Sequence, residues 1–211
     1  MAMFIFEEVK NVLLKEFFAE NMDEYRNFWQ DIRDKYPGWC VDFVYRNCDP
    51  PMEFMKEICA EILESHVITI LTIDNFAPVN EAAPTLVTAE NFDTFAPLHE
   101  NMCPDFAYPN ERIAKDMNRW RIFMYGNAYT MMSFSNDSPE IFALEIKNAE
   151  EGAALLSAAA KYAFENDKPT LDFFIDDYDQ IQKEAAHKVG FTVNGKSICY
   201  RVRSVDCCKN N

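Results

Sequence analysis

Short apolar runs and helical stripes alternate most clearly in the last third of the chain. Ile141–Ile146 is an apolar run of strand length, and past Asn148 an alanine-rich stretch carries apolar residues at helical spacing. Leu171–Ile175 is a second strand run, Tyr178–Val189 a second helix, and Gly190-Phe191 closes it. Strand, helix, strand, helix predicts two parallel neighbouring strands joined by a right-handed crossover. In open sheets of that kind ligands sit outside the carboxyl ends of the strands, which marks Lys147–Ala153 and Asp176–Asp179.

Upstream, the same reading predicts a strand at Met3–Phe6 and helices at Glu7–Glu20 and Asp23–Lys35, the latter ended by Pro37-Gly38. Trp39–Arg46 alternates as a strand, and Asp49-Pro50 opens a helix with Met52, Met55, Cys59 and Ile62 as its buried stripe. Val67–Ile73 is a β-branched strand. Phe76–Pro84 has no periodicity and reads as a linker. Beyond it come a strand at Leu86–Thr88, helices at Asn91–Asn101 and Pro109–Arg119, and a hairpin of Trp120–Tyr125 and Ala128–Phe134 across Gly126-Asn127.

Laid together, Trp39–Asp74 and Ile141–Asp176 share one plan, a strand, Asn47 or Asn148, an acidic helix of similar length, and a second strand. Two readings stand: an internal repeat, with the first half a shortened copy lacking the hairpin, or chance similarity between two βαβ units. Exposed Trp29 and Trp39 would pack on the second domain or on another chain.

Composition narrows the function classes. With 20 basic and 35 acidic residues the net charge is −15, and no basic patch is evident, so neither nucleic acid nor an anionic membrane is an expected partner. No apolar run reaches the length of a membrane span, which predicts a soluble, cytoplasmic protein. Seven cysteines without a CxxC pair or a histidine at zinc spacing read as reduced thiols, and Cys207-Cys208 as part of a polar tail. No metal site is expected.

Residues 84–203, read in order, resemble the GNAT acyltransferase family. The likeness is carried by Gly152-Ala153-Ala154-Leu155-Leu156 with the alanines after it, and by Lys188-Val189-Gly190-Phe191. The resemblance implies an α/β (α+β) fold with a mixed central sheet flanked by helices. It also implies acetyl-CoA or another acyl-CoA as co-substrate, its pantetheine between the family's fourth and fifth strands, and an amine as acceptor, small molecule or peptide. By the same resemblance Leu144, Ile146, Lys147, Gly152, Ala153, Ala154 and Asp179 hold the cofactor, and Glu145 is the candidate general base. The chain departs from the family's pattern where Glu150 stands at a glycine of the phosphate loop and Ala186 at the usual tyrosine acid. The competing reading is a module that kept the fold and lost acetyl-CoA binding.

The domain expectation is a truncated GNAT-like half-domain at 1–78, a linker at 79–83, a GNAT-like domain at 84–205 and a polar tail at 206–211, with a homodimer allowed. For Glu145 the bland alternative is an edge carboxylate. Asn148 and Glu151 fit a capping box closing on the Asn148 amide, and Asp177 with Gln180 a second cap rather than a cation cluster. Of His66, His99 and His187, the last is singled out because it neighbours Ala186. Tyr125, Tyr129, Met131, Met132 and Phe134 line an acceptor pocket or belong to the core.

Overall fold

The computed structural model describes residues 12–13, 21–79, 83–102, 108–134 and 138–203. They form two compact units, Met1–Val67 with Gly195–Asn211, and Ile68–Asn194. The division falls inside two long strands, at Val67/Ile68 and Asn194/Gly195, rather than in the 79–83 stretch.

In the first unit, strand β1 (Val12–Leu13) runs parallel to β2 (Cys40–Arg46), and β2 pairs antiparallel with β9 (Thr192–Arg203). The order is β1-β2-β9-β3, with β3 at Glu61–Thr72. β1 lies where a helix over Glu7–Glu20 is expected, while Met3–Phe6 and the rest of that stretch lie outside the described residues. Helix α1 (Met22–Lys35) is capped by Asn21, whose side chain accepts from the Glu24 amide. Its Phe28, Trp29 and Ile32 meet Val41, Phe43 and Tyr45 of β2 in one core. Trp29 is therefore buried within this unit, not an exposed anchor.

Helix α2 (Met52–Glu57) has six residues and is much shorter than the stripe Met52–Ile62 predicts. Cys59 takes a left-handed backbone at φ 54° and Ile62 lies exposed on β3, so the buried set is Phe54, Met55 and Ile58. Asn47 does not cap a helix either. Its side chain accepts from the Lys196 amide at 3.0 Å, filling the space a Cβ at Gly195 would occupy. The 17-residue α5 (Ala149–Glu165) thus has no equal-length counterpart in α2.

The second unit follows the predicted order closely. β4 (Thr85–Leu86), β5 (Trp120–Tyr125), β6 (Ala128–Ser133) and β7 (Glu140–Glu145) pair antiparallel in sequence, and β7 pairs parallel with β8 (Thr170–Asp176). The order is β3-β8-β7-β6-β5-β4. Successive strand residues point to opposite faces, so the hairpin divides itself between two cores. Phe123, Ala128 and Met132 pack with α5 and α6 (Gln180–Val189). Ile122, Tyr129 and Met131 pack with α3 (Phe92–Met102) and α4 (Asn110–Lys115). Helices therefore cover both faces of a mixed sheet.

Phe76–Val79 is irregular but docked. The Ala77 amide donates to Val189 O, the Val79 amide to Ser157 Oγ, and Phe76 lies edge-on to Phe164. At Gly190 the chain turns at φ 101°, and a Cβ there would stand 1.9 Å from Asn75 O, so both conformation and space require glycine.

Candidate active site

β7 and β8 run side by side only at their starts. Their ladder pairs Glu140 with Asp172 and Ile141 with Phe173, although β7 continues to Glu145 and β8 to Asp176. The parting follows a bulge. Across β6 the register passes from Ala143–Met131 to Ile141–Met132, which leaves Phe142 as the extra residue, and a bulge bends its strand.

Backbone groups left inside a sheet without a strand partner need another. The Ala143 carbonyl lies on the β6 side, where Thr130 Oγ1 donates to it at 3.1 Å. The next carbonyl, that of Leu144, turns to the opposite edge, where β8 has drawn away. It accepts from Gln182 Nε2 of α6 at 2.9 Å.

The bulge also corrects a strand-face expectation. Simple alternation groups Glu145 with both Ile141 and Ala143, yet Ile141 packs under α5 and α6 and Ala143 under α3 and α4. Glu145 stands opposite Tyr129 and lines a cleft of about 490 Å³ with Met102, Tyr125, Ile146, Lys147 and Glu151.

Close to that register position the structure adds a residue that sequence reasoning passed over. His99 of α3 is 2% exposed, its Nδ1 lies 2.9 Å from Tyr129 Oη and its Nε2 3.0 Å from Tyr108 O. A carbonyl only accepts, so Nε2 carries hydrogen, and with that tautomer Nδ1 accepts a hydrogen bond donated by the Tyr129 hydroxyl. The available signal was the spacing of Phe95 and His99 on one face of α3, where the two rings stack at 5.2 Å. His187, by contrast, is exposed.

A second cleft, about 710 Å³, opens at the start of α5 between Val79, Tyr125, Asn148, Glu150, Glu151 and Lys188. Asn148 caps α5 by accepting from the Glu151 amide at 2.9 Å. The Glu151 carboxylate accepts from the Lys147 amide at 3.1 Å, one residue further back than a capping box on Asn148 predicts. Glu150 holds Lys188 Nζ at 2.8 Å, with Glu184 at 3.5 Å. The Lys188 ammonium keeps the Glu150 carboxyl below the usual range, and Glu150 raises Lys188 in turn. This helix start has its own two carboxylates where an anion would sit.

Gly152 has a packing reason. A Cβ there would stand 2.7 Å from both Ala185 Cβ and Ile146 Cδ1, so the glycine lets α5 close on α6 and on the end of β7. Ala153 and Ala154 are buried and border the second cleft. Asp179, rather than Asp177, caps α6, and its partner is the Gln182 amide at 2.9 Å, not Gln180. Ala186 is buried and fills core space. The structure thus brings Leu144, Glu145, Ile146, Lys147 and Glu151 to one edge, with Asp179 tied to it through Gln182. Among the described residues no group of three or more His, Cys, Asp or Glu side chains is placed to hold a metal ion. Nor, among the described residues, is any helix long and apolar enough to cross a membrane.

No family model matches the sequence, and no curated protein matches it. Solved structures do. A GCN5-related N-acetyltransferase from Sphaerobacter thermophilus superposes with a TM-score of 0.64 at 13% identity, over 92% of this chain and 72% of that one. Another from Kribbella flavida gives 0.64 at 11% identity, over 93% and 83%. A tandem GNAT protein from the clavulanic acid biosynthesis pathway gives 0.61 at 11%, over 93% and 76%. At such identities the likeness speaks to architecture, and function has to be argued from the site. The chain has the α/β fold of the GNAT N-acetyltransferases.

Proposed function

We propose that the protein is an acyl-CoA-dependent N-acyltransferase acting on an amine. The observation that carries this reading is the parting of β7 and β8 beyond Ile141 and Phe173, with a cleft on either side of Glu151. An extended, amide-bearing arm finds strand-like backbone partners in such a slot, flanked by Leu144 and Ile146. When bound, an acyl-CoA supplies an activated acyl carbon and a thiol leaving group.

The chain's own residues divide the remaining work. Glu145, lining the smaller cleft, takes the proton released as the amine attacks. Lys147, Gly152, Ala153, Ala154 and Asp179 surround the start of α5 and α6, where the phosphates would lie. Lys188 is the cation best placed to meet them, because its exposed pair with Glu150 is solvent-screened and contributes little when kept. Holding the amine against the acyl carbon supplies most of the rate enhancement, as Ala186 offers no acid.

A second reading, a GNAT-fold interaction module without the cofactor, is favoured by one observation. Glu150 and Glu151 stand at the α5 start, where a phosphate would need donors. Calorimetric titration with acetyl-CoA, coenzyme A and a longer acyl-CoA separates the two. One-site binding with micromolar affinity supports the enzyme. Silence with all three donors from folded protein overturns it in favour of the module.

A further inference from the structure

We infer that Gln182 is a resident plug in the slot between β7 and β8, and that an amide-bearing ligand enters by replacing it on the Leu144 carbonyl. The inference rests on the acyltransferase reading and adds a competition internal to the chain.

The bulge at Phe142 and the early end of the β7–β8 ladder leave Leu144 O beyond the last paired residues of the two strands. A lone carbonyl there would cost a hydrogen bond. Gln182 removes that cost, and because a carbonyl only accepts, the group facing it is the carboxamide NH₂. The backbone of Gln182 is held separately, its amide donating to Asp179 Oδ1 at 2.9 Å. The side chain can therefore rotate away while the first turn of α6 stays in place.

A glutamine carboxamide and the secondary amide of an extended ligand offer the carbonyl the same donor. The swap exchanges one hydrogen bond for another, so Leu144 contributes little net affinity while Gln182 is present. Removing the carboxamide leaves the carbonyl to the ligand alone. The chemistry recognised is an extended arm with an amide N–H, independent of any phosphate or adenine attached to it.

The test is calorimetry on the wild type, Gln182→Ala and Gln182→Met, titrated with coenzyme A, with pantetheine and with adenosine 3′,5′-bisphosphate. Circular dichroism and melting confirm each protein folded, and Gln182→Met, which keeps the stem and loses the donor, decides if the alanine variant does not fold. The expected result is coenzyme A and pantetheine binding about three- to tenfold tighter in the variants, the worth of one hydrogen bond, with the bisphosphate unchanged. Binding seen only in the variants overturns the plug as drawn, because one exchanged hydrogen bond shifts affinity by no more than about tenfold. Unchanged or weaker pantetheine binding in the variants, beside a wild type that binds coenzyme A, overturns the plug and leaves the acyltransferase reading standing. Equal tightening of the bisphosphate also overturns it, since a loosened cleft would explain both. No binding of coenzyme A by any of the three folded proteins overturns the acyltransferase reading and the plug together.

Discussion

Three residues carry roles that their chemistry alone makes testable. Gly152 is a contact glycine, so Gly152→Ala drives a methyl into Ala185 and Ile146 and is expected to destabilise the fold by about 1–3 kcal/mol, read by urea unfolding. Asn148→Ala removes one helix cap and should cost about 1 kcal/mol of stability, read by the same unfolding measurement. Glu145→Gln should lower turnover about a hundredfold or more while the coenzyme A dissociation constant stays put. Turnover retained at the wild-type level would remove Glu145 from the chemistry.

At the scale of elements, the β2–β9 pair has one apolar face and one charged one. Asp42 of β2 is 7% exposed and holds Arg201 of β9 through two bonds of 2.7 and 2.6 Å, as a buried charge must be paired. Burial, helped by Asp42 and Glu64, pushes the neighbouring Cys199 thiol up to about 12 from 9.0. The sign follows from linkage. In the unfolded chain the thiol ionises near 9 and in the fold near 12, so stability is intact below pH 9 and falls as pH rises towards 12. Unfolding free energy measured from pH 8 to about 11 under reducing conditions should fall less steeply in Cys199→Val than in the wild type. Equal slopes would show that Cys199 does not govern the alkaline limb.

For the whole molecule the dominant fact is a net charge of −15. Coenzyme A is itself a polyanion, and the α5 start adds Glu150 and Glu151 to the general repulsion. Salt screens charges separated by more than a Debye length, about 10 Å at 0.1 M. Coenzyme A binding should therefore strengthen between about 0.02 M and 0.2 M salt, while pantetheine, which lacks phosphates, responds little. Weakening with salt would mean that Lys188 and the backbone donors outweigh the carboxylates.

Much of the second unit was legible from local pattern. The βαβ order at 141–189, the hairpin across Gly126-Asn127, the cap at Asn148 and the close at Gly190 each depend on residues a few positions apart, and periodicity reports such things directly. The first unit was less legible. α2 is short because its continuation joins β3, and β9 returns from the far end of the sequence to pair with β2, a partnership no local signal encodes. The site divides the same way. Sequence alone determined that Glu145, Lys147 and Gly152 flank the carboxyl end of a strand, because a parallel crossover places them there. Only the tertiary structure decided that Phe142 bulges, that β8 leaves β7 after Ile141, and that Gln182 takes the carbonyl so released. Each of those depends on which backbone groups from distant segments find partners, a global accounting of hydrogen bonds that no single stretch of sequence contains.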